Sequence, residues 1–167
     1  MTVAPTLQGK NIRLRPHRMS DTAPFWAFFQ TSRAEYVSKP DNETHFWYAF
    51  ASEVGSWALT GMGGWAIETA DGTLAGQVAV IHPPHFPETE IGWILFDGHE
   101  GQGIAFKAAK LALDYTWSTI QPASLVSYID HRNTRSIALA ERLGATRDDA
   151  AEKYDDVDVV YRHRRPQ

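Results

Sequence analysis

Cysteine is absent from the 167-residue chain. With it go disulfide scaffolds, Cys-ligated zinc, iron–sulfur clusters and thiol nucleophiles. No apolar run approaches the roughly 18 residues a membrane span requires. The opening MTVAPTLQGKN has neither the basic nor the apolar region of an export signal, so no membrane partner and a cytoplasmic location are expected. Positive charge is not in excess either: 16 Lys and Arg stand against 20 Asp and Glu, a formal charge of -4. Such a chain has no overall positive field to hold a polyanion by counterion release, which argues against nucleic acid as the main partner. Repeats, low-complexity tracts and long Gly/Ser or Pro-rich linkers are also missing. What is present is the composition of a folded globular protein, 43% hydrophobic, 12% aromatic and 22% charged, at a length that suits one domain over 1–167.

Hydrophobic periodicity divides the chain into elements. Asn11–Arg15 reads as a strand. Ser20 and Asp21 are N-cap candidates for a helix through Phe25–Phe29, and Trp47, Phe50, Val54 and Trp57 recur at helical spacing before Gly61. From Gly63 the period becomes two. Strands over Trp65–Thr69 and Leu74–Ile81 flank an Asp71-Gly72 turn, and Glu88–Phe96 places Glu90, Gly92 and Ile94 opposite Ile91, Trp93 and Leu95. A helix from near Gln102 carries a polar stripe at Lys107, Lys110, Asp114, Ser118 and Gln121. Leu125–Ile129 is a strand, Asn133 caps a helix with Gly144 as its C-terminal stop, and Ala145–Ala150 and Val157–Arg162 form an antiparallel pair. Meandering strands before one strand–helix–strand unit predict an α+β fold, with a mixed, mainly antiparallel central sheet, flanking helices and one parallel crossover.

The segment Gly98-His99-Glu100-Gly101-Gln102-Gly103-Ile104-Ala105 lies between a strand and that helix. Free backbone N–H groups backed by the positive end of a helix dipole suit a pyrophosphate. The same glycines also serve a plain tight turn. A Rossmann fingerprint fails, because its last small residue is Phe106 here and too little chain follows for further βαβ units.

Three blocks between Gly55 and Ala145 carry a resemblance: Gly63-Gly64-Trp65-Ala66-Ile67 with Gly76-Gln77-Val78; Glu90-Ile91-Gly92-Trp93-Ile94-Leu95 with Gly101-Gln102-Gly103-Ile104-Ala105; and Asn133-Thr134-Arg135-Ser136 with Glu141-Arg142-Leu143-Gly144. Together, in order and spacing, they resemble GNAT-superfamily N-acetyltransferases, close to the branch that acetylates ribosomal-protein N-termini. The resemblance implies acetyl-CoA as co-substrate, an amine as acceptor and a splayed pair of strands, Glu88–Phe96 and Leu125–Ile129. Pantetheine would lie between them, bonded to backbone near Ile94 and Phe96, with the pyrophosphate on the amides of Gly101, Gly103, Ile104 and Ala105. Asn133 would bond the pantetheine amide and Ser136 would reach the sulfur. Without the motif, Asn133 is equally an N-cap and Ser136 a first-turn residue. The chain departs from the family where a Tyr that protonates the leaving thiolate is common, at Ala140, so Ser136 or a water it holds is the substitute. Further departures are Ile104-Ala105-Phe106-Lys107 in the loop and Ala145 after the helix-ending glycine.

Attack on a thioester needs a neutral amine, which an α-amino group supplies more readily than a lysine-like one. Glu90 is the candidate base, since burial would raise its pKa into a useful range. The alternative leaves Glu90 at a wet strand entrance, bonded to its neighbours, and Glu88 has a weaker claim. The backbone N–H of Ile94 or Leu95 is the candidate oxyanion donor. Trp47, Trp57, Trp65 and Trp93 fit core positions better than a pocket, the histidines fit loops rather than a metal site, and Arg162–Arg165 reads as a solvated tail. The expected activity is direct acetyl transfer to a primary amine, on a protein N-terminus or a small molecule, with a homodimer admitted. A non-catalytic acyl-CoA-binding regulatory domain is the rival reading.

Overall fold

The computed structural model describes residues 3–166. Strands β1 (Leu7–Gln8), β2 (Ile12–Arg15), β3 (Gly63–Thr69), β4 (Leu74–Ile81), β5 (Glu90–Leu95), β6 (Val126–Asp130), β7 (Thr146–Arg147) and β8 (Asp158–Arg162) form one sheet in the order β1-β2-β3-β4-β5-β6-β8-β7. Every neighbouring pair is antiparallel except β5 and β6. Helices α1 (Thr22–Phe29), α2 (Glu43–Thr60), α3 (Ile104–Tyr115) and α4 (Thr134–Arg142) flank it. This is the expected α+β sheet with a single parallel crossover, β5–α3–β6. The two-residue strand β1 has too little pattern to be read in advance.

Side chains decide the two faces. Trp65, Ile67, Val78, Val80 and Ile91 point to one side and pack with Ile104, Ala108 and Ala112 of α3; burying each large side chain contributes roughly 1.5–3 kcal/mol. Alanines on the inner stripe of α3 let the helix approach the sheet closely. A smaller cluster of Ile129, Ala140, Ala145, Val159 and Tyr161 lies beyond β6. On the opposite face, Asn42 caps α2 by accepting from the His45 N–H at 2.9 Å, and Gly61 ends that helix in a left-handed conformation at φ 73°.

The Asp21 side chain does not cap α1 as expected; its Oδ2 instead accepts from the Arg18 N–H at 2.8 Å in the 3₁₀ turn Met19–Asp21 that precedes it. Its two oxygens accept from Arg15 Nη1 and Nη2 at 2.8 and 2.9 Å, and Arg15 also pairs with Glu68. All three side chains are nearly inaccessible. Burial alone would raise the Asp21 carboxyl. The His17 ring 3.7 Å away and the Arg15 guanidinium instead hold it far below the usual carboxylate range. A buried charge needs its partners more than its partners need one another. We therefore expect Asp21→Asn to destabilise the protein by about 3 kcal/mol in urea titration. Because the folded pKa is depressed, the stabilisation is complete above about pH 4, the unfolded value, and drains away as pH falls below it; Asp21→Asn should flatten that acid limb.

Candidate functional site

The parallel pair is in register only at Glu90↔Val126, where the Val126 N–H donates to the Thr89 carbonyl at 2.9 Å. Beyond that point the strands part. Ser127 Oγ takes the place of a backbone donor and bonds the Ile91 carbonyl at 2.6 Å. Trp93 then stands between the two cores, packed against both. Backbone polar groups alternate along a strand, so the direction of Ile91 places the N–H and C=O of Trp93 and Leu95 in the gap as well.

The same alternation corrects the expectation for two residues. The Phe96 N–H donates to Ala75 of β4 at 2.8 Å, and its ring packs on Phe25 and Phe28. Ile94, paired with Gln77, likewise turns its backbone toward β4. The pattern alone could not tell which edge of β5 would be free, because the choice is set by register with β4.

The gap opens into a cleft of about 1000 Å³. Ile94, Leu95, Gly101, Gly103, Ile104, Ala105, Asn133 and Ser136 all line it; Phe96 and Glu90 do not. At its far end α3 begins with Gly103, at φ 71° and without a side-chain cap. The first amides of α3 therefore have no intrahelical partner and point outward with the helix dipole behind them. Arg33, Arg132, Arg135 and Arg142 line the cleft together with Glu35, Asp97 and Glu100; Arg33 and Arg132 already pair with Glu100 and Asp130, which leaves Arg135 and Arg142 without a carboxylate partner among the described residues. Arg33 and Arg132 come from segments with no motif of their own, and Arg135 and Arg142, though inside the third block, were given no role from the sequence. Arg33 reaches across from the loop after α1, donates to the Leu95 carbonyl at 3.1 and 3.2 Å and pairs with Glu100.

Asn133 Oδ1 caps α4 by accepting from the Ser136 N–H at 3.2 Å, which leaves its amide NH₂ for a ligand. Trp93 Nε1 donates to Ser136 Oγ at 3.3 Å. With that lone pair engaged, the Ser136 hydroxyl keeps its own proton to give. Trp93 is thus a wall of the cleft rather than core, and Trp47 is 44% exposed, whereas Trp57 and Trp65 are buried as expected.

Glu88 and Glu90 are two residues apart in sequence and opposite in character. Glu88 accepts from Arg162 Nη1 and Nη2 at 2.7 and 2.9 Å, and that guanidinium holds its pKa down. Among the described residues Glu90 has no cationic partner: burial, then the carboxylates of Asp158 and Glu53, push it up to about 8, against a hydrogen bond from the Tyr128 backbone. Arg162 and His163 are not tail, since Arg162 ties Glu88 to Asp148 and His163 is 5% exposed. Among the described residues no group of three or more His, Asp or Glu is arranged to hold a metal, and no helix is long and apolar enough to cross a membrane.

The family model described as an acetyltransferase (GNAT) domain matches residues 11–146. An acetyltransferase from Agrobacterium tumefaciens str. C58 is 36% identical with a TM-score of 0.90, covering 96% of this chain and 95% of that one. The ribosomal-protein-S5-alanine acetyltransferase from Vibrio fischeri, 15% identical, shares the fold at a TM-score of 0.76 over 97% of both chains. The spermidine N(1)-acetyltransferase of Escherichia coli strain K12 is 32% identical over 75 residues, 44% of this chain. That match spans only 40% of the E. coli protein.

A Cβ at Gly103 would meet nothing within 4 Å, so a substitution there is costly only through its positive φ. Gly103→Val should therefore destabilise by about 1–2 kcal/mol and Gly103→Asn by less, since Asn tolerates the left-handed region. Urea denaturation of the two variants checks the order.

Proposed function

The chain belongs to the GNAT acetyltransferase domain family, and on that premise we propose that it transfers the acetyl group of acetyl-CoA to a primary amine by direct attack. The observation that carries this reading is the conjunction of one cleft, lined by a free edge of β5, uncapped helix amides and Ser136, with a carboxylate of raised pKa at the start of the same strand. The residues present fit acetyl-CoA. Amides of Ile104 and Ala105, released by the turns at Gly101 and Gly103, meet a pyrophosphate; the backbone of Trp93 and the N–H of Leu95, whose carbonyl is held by Arg33, offer a strand-like edge to pantetheine; the Asn133 amide bonds a pantetheine carbonyl. The thioester supplies an electrophilic carbonyl and a leaving group of pKa near 8.5.

Glu90 takes the proton from the attacking amine, directly or through a water, and a base near pKa 8 is matched to an α-amine of roughly 7.7–8.0. The N–H of Leu95 faces the gap and stabilises the developing charge on the carbonyl oxygen; Ile94, turned toward β4, is not its equivalent. As the N–C bond forms and the C–S bond breaks, the Ser136 hydroxyl donates toward the sulfur while Trp93 holds its oxygen. Ala140 is buried in the smaller core, so no residue of α4 replaces Ser136 from that position. Both acceptor classes, a protein N-terminal amine and a small amine, fit this chemistry, and the name of the E. coli relative is that of an enzyme acting on a small amine.

Thermal shift with acetyl-CoA, followed by free-thiol release on a panel of peptides and amines, tests the proposal. A raised melting temperature with thiol release on one amine is expected. Stabilisation without turnover would favour a coenzyme-binding regulator, and no stabilisation would sink the coenzyme site. Glu90 must be ionised to act, so kcat/KM should rise with pH and level off above about 8. Glu90→Gln should remove that limb and lower kcat about a hundredfold or more. Ser136→Ala should cost about tenfold, because a thiolate of that pKa needs modest help.

A further inference from the structure

Helix α2 is apolar on more than one side. Phe46, Phe50, Glu53 and Trp57 recur at helical spacing on its inner stripe, with Phe46 and Trp57 buried and Glu53 accepting from Gln77 Nε2 of β4 at 2.6 Å. Two more stripes repeat that spacing on the outside. One holds Trp47, Ala51, Val54 and Ala58, and beside it runs Tyr48, Ser52, Gly55 and Leu59. Ala51 is half-buried and the others are exposed. The whole helix contains no Lys or Arg, and its only acids are Glu43 in the first turn and the inward Glu53. By contrast, α3 turns the ion pair of Lys110 and Asp114 to solvent. A helix that is apolar nearly all round belongs where both of its sides are covered.

The size of this face suits a protein partner. Trp47 is 44% exposed, Tyr48 64%, Val54 41% and Leu59 86%, so these four side chains present roughly 450 Å² of apolar surface. A stable dimer covers about 800 Å² on each partner, about 65% of it apolar. The four side chains and the alanines beside them come close to that requirement.

Residue order along the stripes identifies the partner as a second copy of the chain. Reversed and laid on itself, the second stripe sets Tyr48 against the partner's Leu59 and Ser52 against the partner's Gly55. The first stripe sets Trp47 against the partner's Ala58 and Ala51 against the partner's Val54. Both self-pairings turn about nearly the same point, within one residue or about 1.5 Å of helix. That coincidence is what a two-fold axis requires of an isologous contact. At the centre, a Cβ on Gly55 would meet nothing within 4 Å, which leaves room for a close helix approach, and the bulky side chains close both ends.

We propose that α2 is the interface of a two-fold homodimer, in which a second copy of the chain lies antiparallel across it with the axis between Ser52 and Val54. The inference does not depend on the transferase reading.

Sedimentation of the wild type from micromolar upward should show a particle of twice the 18.7 kDa chain mass. Gly55→Arg places a charge at the centre, where the chain itself offers no obstruction and a helix favours other residues over glycine. It should raise the dimer dissociation constant about a hundredfold or more with an unchanged far-ultraviolet circular dichroism spectrum, and Leu59→Glu, at the most exposed position, should act in the same direction. Because the chain lacks cysteine, Ser52→Cys and Thr60→Cys each introduce a single thiol for a short bismaleimide. Ser52→Cys should cross-link efficiently. Thr60→Cys should not, since an antiparallel pair holds its two copies roughly 20 Å apart. A wild type that stays monomeric to about 100 μM, a dimer that survives both charge substitutions, or equal cross-linking of the two cysteine variants overturns the interface.

Discussion

The divergence of β5 from β6 after a single registered pair is the feature on which the rest depends. Parallel strands ordinarily continue their ladder, and here the Ser127 hydroxyl replaces the next backbone donor while the Trp93 indole occupies the space between two cores. The outcome is a strand edge in the interior with no partner strand, where side chains of Ser127 and Arg33 take the Ile91 and Leu95 carbonyls and the remaining backbone groups are costly to bury unless something completes them. The cleft is arranged around that gap. The glycine-turned loop and the start of α3 close one end, α4 brings Asn133 and Ser136 to its side, and the loop after α1 sends Arg33 over the top.

Charge is treated in two ways. Where carboxylates hold the fold together, they are given guanidinium partners: Asp21 and Glu68 with Arg15, Glu88 with Arg162, Asp130 with Arg132. Their pKa values fall accordingly. Glu53 and Glu90 receive no such partner and rise. A carboxylate left uncompensated in a low-dielectric setting favours its protonated form and gains from any cation delivered to it. The ion pair on Glu88 and the lack of one at Glu90 thus shift two nearby glutamates in opposite directions.

Much of the architecture was readable because period-two and period-3.6 patterns are local properties. The hairpin β3–β4, the amphipathic α3 and the capped α4 fell where their spacing put them, to within a few residues. The fine placement was less readable. Phe96 has the same strand pattern as Leu95, yet its N–H is consumed by Ala75 and its ring by α1. Trp93 has the signature of a core tryptophan and serves as a hydrogen-bond donor at the cleft. His17 and Glu53 carry no motif at all, and they meet only because α2 and the chain after β2 both pack over Gly64.

Residue type and spacing along a few contiguous positions were enough for the element order, the glycine turn that frees the α3 amides and the absence of any thiol chemistry. Which backbone groups of β5 face the gap, which of two nearby glutamates keeps a raised pKa and which arginines line the cleft emerge from the folded sheet. Those outcomes depend on register, burial and distance between segments far apart in the chain, and register and burial exist only once the sheet has formed.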